Sequence, residues 1–272
     1  MMLTEATRWE WHEDGGPVIG AALHAGHKVH RDIKGLLALS EADRLREEDP
    51  YTEEWARFCD SWIIVNRSRF ELDLNRPQAQ TVYSMSAESW GQKVWRKKLP
   101  SPLMERSLKE HAEFYLELDA FLHRCVRRYG TFVILDLHSY NHRRGGPDAI
   151  PSDPATAPEL NIGTGSMNRE YWAPIVDRFT QDMRTFDFSG KHLDVRENVN
   201  FKGRYLAEYV HRHFPTTGCV LALEFKKTFM DEWSGTADME AVDARGRALQ
   251  AAIKGLYEVL ASSYEQRHSH AR

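Results

Sequence analysis

One stretch limits the possible folds of this chain more than any other. Thr131-Phe132-Val133-Ile134-Leu135-Asp136-Leu137-His138-Ser139 is mostly apolar, then breaks into Tyr140-Asn141-His142-Arg143-Arg144-Gly145-Gly146-Pro147. A continuous apolar run bounded by turn residues predicts a strand buried on both faces, as in a parallel sheet. In open α/β sheets, ligands bind just beyond the carboxyl ends of such strands. His138 therefore stands where chemistry is usually placed.

Two other runs end the same way. Val18-Ile19-Gly20-Ala21-Ala22-Leu23 leads into His24-Ala25-Gly26-His27, and Cys219-Val220-Leu221-Ala222-Leu223 leads into Glu224-Phe225-Lys226-Lys227. A further strand, Ser61–Val65, empties into the arginine-rich stretch 66–77, where Phe70, Leu72 and Leu74 alternate with Arg69, Glu71, Asp73 and Asn75. That alternation predicts a half-buried strand.

Residues 101–129 keep a helical period. Ser101-Pro102 starts the helix, with Pro102 at its first position, and Gly130 stops it. A long helix followed by a buried strand is half of a β-α-β unit. Ser40 with Asp43 reads as a capped helix start, and Pro50 expels Asp49 from helical geometry. Thr52 and Asn168 read as caps of the helices that follow them. Residues 87–95 read as an amphipathic helix or turn, 143–158 as a long loop, 160–165 and 192–201 as strands with loops, and 203–214 as a helix.

The expected architecture is α/β, with three αβα layers around a mostly parallel sheet. Residues 1–272 read as one domain, with 1–16 an irregular N-terminal extension and 237–272 a C-terminal helix and polar tail. Lys and Arg total 36 against 40 Asp and Glu, a net charge of −4. This mild acidity offers no footprint for nucleic acid or an anionic membrane. No apolar run reaches spanning length and no signal sequence opens the chain, so a cytoplasmic protein is expected. Cys59, Cys125 and Cys219 lack metal or disulfide spacing.

His24, His138 and Glu224 at strand ends, with Asp49 in an acidic turn, form a chemical set. Two imidazoles and a carboxylate are the ligands of hydrolytic zinc sites that keep one position open for water. Zinc lowers the pKa of such a water to roughly 7, and a second carboxylate is needed to move its proton. His24, Asp49 and His138 are the candidate ligands and Glu224 the candidate base. His27 or Glu48 could replace Asp49, and manganese, iron or cobalt also suit such ligands. Asp136, two residues before His138, points to the same strand face and could orient its imidazole.

His24-Ala25-Gly26, Asp73-Leu74-Asn75-Arg76-Pro77, Asp136-Leu137-His138-Ser139, Leu223-Glu224-Phe225-Lys226 and Met230-Asp231-Glu232 together resemble the N-formylglutamate amidohydrolase family. The resemblance spans roughly residues 18–235. It implies a phosphorylase/hydrolase-like fold related to zinc exopeptidases. It implies zinc held by His24, an acidic residue and His138, with Glu224 in the base position. It also implies that Arg76, with Arg69 and Asn75, binds carboxylates of a small amide substrate.

The sequence departs from the family at several points. Leu23 replaces the usual Pro before the first His. His27-Lys28-Val29 follows in an unusual form. Gly203-Arg204-Tyr205 stands for Gly-Gly-Tyr, which places the charge of Arg204 near the substrate. Amide hydrolysis is thus the central expectation, and the named substrate a narrower one. The rival expectations are an exopeptidase or peptidoglycan-type amidase acting on a larger substrate, and a non-catalytic metal- or ligand-binding protein on the same fold.

Overall fold

In the computed structural model, which describes residues 7–13 and 15–269, the apolar runs become strands of one mixed sheet. In chain order the elements are β1 Trp9–His12, β2 Val18–Ala22, α1 Arg31–Lys34, α2 Glu41–Glu47, α3 Thr52–Ala56, β3 Ser61–Val65, α4 Ser101–Tyr129, β4 Phe132–Tyr140, β5 Leu160–Gly163, α5 Ala173–Thr185, β6 Val195–Glu197, α6 Tyr205–His213, β7 Gly218–Lys226 and α7 Met239–Ser269. The sheet order is β1-β3-β2-β4-β7-β5-β6. β3, β2, β4 and β7 run parallel, β1 and β5 are antiparallel to their inner neighbours, and β6 is parallel to β5.

All nine residues of β4 are buried, because the sheet carries helices on both faces. Val133, Leu135 and Leu137 pack with residues of α3, α5 and α7, and Phe132 and Ile134 with residues of α4 and α6. The result is the expected three-layer αβα arrangement. Each fully buried Leu, Ile or Phe contributes about 1.5–3 kcal/mol, so these two apolar layers dominate the stability of the fold. Gly20 and Gly26 permit close packing beside β2. A Cβ on Gly20 would fall 2.5 Å from the carbonyl oxygen of Ala56 in α3, and one on Gly26 would fall 2.2 Å from the carbonyl carbon of Asn66.

Several local expectations are corrected. Residues 69–76 are not a strand. Their backbone turns on itself, with Glu71 and Leu72 N–H groups donating to the carbonyl of Ser68, and has no ladder partner. The alternation is real, but its polar members are buried too. Within the stretch expected to be irregular, Trp9–His12 pairs with β3 as an edge strand. Residues 1–6, Asp14 and 270–272, also assigned to the extension and the tail, lie outside the described residues.

Residues 87–95, read as a helix or a turn, take the turn and form no α-helix. A short 3-10 turn, Ser86–Ser89, ends at Trp90 and Gly91, both at positive φ (54° and 85°). Ser40 and Asp43 do form the reciprocal cap of α2. Thr52 is not the cap of α3: Tyr51 holds that position, and the Thr52 hydroxyl donates to the carbonyl of Asp49. Asn168 accepts the N–H of Tyr171, and α5 begins later, after Trp172. Pro100 rather than Ser101 precedes α4. Among the described residues no helix is long and apolar enough to cross a membrane.

Candidate active site

Parallel strands deliver their carboxyl ends to one edge of the sheet. β2 runs into His24 there, β4 carries His138 and β7 carries Glu224 near their carboxyl ends, and His138 and Glu224 are direct register partners. Asp49 arrives from the C-terminal end of α2, where its N–H donates to the carbonyl of His24 over 2.9 Å. His24, Asp49 and His138 are 2%, 1% and 3% exposed, and their potential ligand atoms lie within 4.8 Å of one another.

The orientation of the three groups decides what they can hold. Nε2 of His24 is 2.7 Å from Oδ1 of Asp73, and Nε2 of His138 is 2.9 Å from Oδ1 of Asp136. Giving the Nε2 protons to these buried anions leaves both Nδ1 atoms as lone pairs. Those Nδ1 atoms face Oδ2 of Asp49, at 3.4 Å from His24 and 3.0 Å from His138. Nδ1 of His24 has no hydrogen-bond partner among the described residues. Two lone pairs and a carboxylate oxygen converging on one point repel unless a proton or a cation lies between them. The donor set therefore fits a divalent cation with nitrogen and oxygen ligands.

The titration of the cluster carries the same message. Burial opposes a charged His138, but Asp136 and Asp49 outweigh it and raise the pKa well above the ordinary histidine value. Burial alone would raise Asp49, yet the hydrogen bond to His138 and the neighbouring His24 ring hold its carboxyl far below the usual range. Glu224 differs. Its carboxylate makes no hydrogen bond among the described residues, and burial pushes its pKa up to about 8 against the pull of His138.

The alternatives for the third ligand are turned away from this point. The Glu48 carboxylate bonds the Ser68 hydroxyl and the His27 ring, so Glu48 and His27 partner each other.

The pocket over the cluster measures about 410 Å³ and is lined by every residue expected at the site: His24, Asp49, Arg69, Asn75, Arg76, His138, Arg204 and Glu224. Arg69 and Arg76 share Oδ2 of Asp73, at 3.1 and 3.2 Å. Asn75 lines the wall with its Oδ1 accepting the N–H of Leu206; its Nδ2 lies 3.0 Å from Nε2 of His138, but with the Nε2 proton given to Asp136 it donates nothing there. The side chain of Arg204, at the start of α6, is exposed and forms no hydrogen bond or ion pair among the described residues.

Other residues of the site escaped sequence reasoning. Asp73 accepts from His24, Arg69, Arg76, the Tyr83 hydroxyl at 2.6 Å and the N–H of Asn75 at 3.0 Å. Lys227, 1% exposed, donates to the carbonyls of Arg46 and Glu48 at 2.6 and 2.7 Å, which fixes the chain at Asp49. Trp90 stacks between the guanidinium groups of Arg69 and Arg144, at 5.0 and 5.2 Å, and Arg144 also grips both oxygens of Glu47. The loop after His142 is pinned by Glu232, which accepts the N–H groups of His142 and Arg143, so Arg144 forms a fixed wall. The acid–arginine spacing of Arg69 and Asp73 was the available signal for the first of these networks; Lys227 carried none.

The model of the N-formylglutamate amidohydrolase family matches residues 16–230. This chain belongs to that family. An N-formylglutamate amidohydrolase from Ralstonia eutropha JMP134 superposes with a TM-score of 0.69 at 16% identity, covering 96% of this chain and 98% of that one. A gene product of Agrobacterium tumefaciens superposes with a TM-score of 0.68 at 15% identity, covering 93% and 96%. At these identities the likeness is one of fold. No curated protein matches the chain significantly in sequence. Membership makes the protein an amidohydrolase by family, and the blocks that first suggested it hold the residues around the pocket.

Proposed function

We infer that this protein hydrolyses the amide bond of a small N-acyl amino acid with a free carboxylate, of the N-formylglutamate kind, with a divalent cation held by His24, Asp49 and His138. The convergence of two imidazole lone pairs and a carboxylate carries this reading. A cation bound there, zinc first among the candidates, supplies Lewis acidity to a water and to a carbonyl oxygen.

The chain's own groups do the rest. Glu224, which makes no hydrogen bond among the described residues, takes the proton of the attacking water and passes it to the leaving amine; a cation at the neighbouring site would favour the ionised form that this needs. Asp73 and Asp136 fix the tautomer and tilt of the two imidazoles. Two arginines sharing one aspartate leave a positive charge over, and unpaired Arg204 adds a second, which suits capture of substrate carboxylates. A pocket of about 410 Å³ walled by Trp90 and Arg144 has room for a small molecule, which speaks against a polymer such as peptidoglycan.

The test is a hydrolysis screen of N-formyl and N-acyl amino acids, run beside elemental analysis of the purified protein. Glu224→Gln is expected to keep its metal and lose roughly 10²- to 10⁴-fold in turnover. Full activity in that variant removes Glu224 as base. Absence of stoichiometric metal, with no metal-stimulated hydrolysis, overturns the whole reading.

A further inference from the structure

A groove of about 780 Å³ lies next to the pocket over His24, Asp49 and His138, and the two share the segment 83–91 as a wall. Met85, Ser86 and Gly91 line the groove, while Ala87, Glu88 and Trp90 line the pocket. The groove is cationic. Lys93, Arg96, Lys97 and Lys98 line it, all four are exposed, and none forms an ion pair among the described residues. No carboxylate lines it. Glu88, in the shared wall, is taken up by the N–H groups of Ser84 and Met85 at 2.7 and 3.0 Å. Four unpaired cations within six residues stand out on a chain of net charge −4. They repel one another, and an anionic partner relieves that repulsion.

Two further features narrow the partner. Apolar residues complete the lining: Tyr83, Val94 and Leu99 are buried, whereas Met85 is left 62% exposed. The backbone also has a free edge. Trp95 faces Leu37 as an isolated antiparallel bridge. The N–H of Ala38 donates to the carbonyl of Val94 at 2.8 Å, and the N–H of Arg96 to the carbonyl of Leu36 at 2.9 Å. Bonds from the flanking residues make Leu37 and Trp95 a non-hydrogen-bonded pair, so the N–H and C=O of Trp95 itself point the other way. Neither has a partner among the described residues. Free main-chain groups on a strand edge template pairing with another extended chain.

We propose that this groove docks an extended acidic segment of a partner protein, its main chain paired with Trp95, its carboxylates among Lys93, Arg96, Lys97 and Lys98, and its apolar side chains against Tyr83, Met85 and Leu99. Successive side chains of an extended chain face opposite ways, so alternating acidic and apolar residues meet both parts of the lining.

Fluorescence anisotropy of the whole protein with a short labelled peptide of alternating glutamate and valine tests the assignment. Saturable binding is expected, one peptide per chain. It should weaken at least roughly tenfold between about 0.1 M and about 1 M salt, where the screening length falls from about 10 Å to about 3 Å. Methylating the backbone nitrogens of the peptide removes the strand pairing and weakens binding by at least as much. Lys97→Glu combined with Lys98→Glu turns two attractions into repulsions and also costs at least roughly tenfold. Both side chains are exposed, so the melting temperature stays unchanged. Lys191→Glu combined with Lys254→Glu makes the same change of net charge elsewhere on the surface and leaves binding intact. Absence of saturable binding overturns the proposal, as does binding indifferent to backbone methylation or to the Lys97 and Lys98 substitutions. A single-stranded thymidine oligonucleotide that displaces the peptide and binds more tightly would assign the groove to nucleic acid instead. Self-association of the protein that the peptide reverses would give it to a second copy, and either result overturns the assignment.

Discussion

Oδ1 of Asp73 lies 2.7 Å from Nε2 of His24, and the other oxygen of the same carboxylate holds Arg69, Arg76 and Tyr83. One buried anion thus sets the tautomer of a candidate ligand and the charge of the substrate wall. Burial works against ionising Asp73, but His24 and Arg69 hold it well below the ordinary carboxylate range.

Asp73→Asn keeps the shape and removes the charge. Divalent-metal affinity is expected to fall roughly 10- to 100-fold, the usual cost of losing a carboxylate behind a ligating histidine. Competition with a chromogenic chelator measures this. Unchanged affinity would show that His24 needs no orienting anion.

Lys227 is predicted to matter without touching substrate. Lys227→Met leaves the carbonyls of Arg46 and Glu48 unsatisfied, a loss of about 1.5–3 kcal/mol for each hydrogen bond to a charged group. The variant should melt earlier and bind metal more weakly, because Asp49 follows Glu48 directly. Loss of stability with metal affinity intact would separate the two roles.

The metal-free protein should lose stability as pH rises from about 4.5 to about 8. Folding raises the Glu224 pKa to about 8, so the folded chain holds a proton there that the unfolded chain releases. Glu224→Gln stays neutral throughout. Its melting temperature relative to wild type is expected to climb across that window, and a pH-independent difference would refute the shift.

His211 acts in the opposite sense. Its Nε2 accepts the N–H of Val220 at 3.0 Å and its Nδ1 is 2.8 Å from the Ser166 hydroxyl, so it is built in as a neutral ring. Burial lowers its pKa to about 4. Stability from this group is complete above pH 6.5 and lost as pH falls toward 4, up to about 3 kcal/mol in all. The acid limb of a melting-temperature profile should flatten in His211→Gln.

What the sequence could reveal follows from the range of the interactions involved. β4 and β7 were legible because burial on both faces leaves an unbroken apolar run, and the polar residues that end each run mark the sheet edge. β1 was not, because Trp9–His12 is a four-residue edge strand whose partners in β3 lie fifty or more residues away. Residues 69–76 misled because an irregular segment buried on both sides can alternate in polarity with no sheet beneath it. His24, His138 and Glu224 were marked as candidates by their places at the ends of apolar runs, and Asp49 by the acidic turn before Pro50. Lys227 was not, since a buried lysine reads like a surface one until the chain folds around it.

The placing of β4 between β2 and β7 has a consequence for the chain during its synthesis. His24, Asp49 and His138 have all been made by residue 138, but β7 begins only at Gly218. For some eighty residues of elongation, β4 presents an unpaired, largely apolar edge to whatever is near the ribosome. Such an edge invites pairing with other chains. The strand that completes the site is therefore also the strand that closes the nascent protein's main route to aggregation.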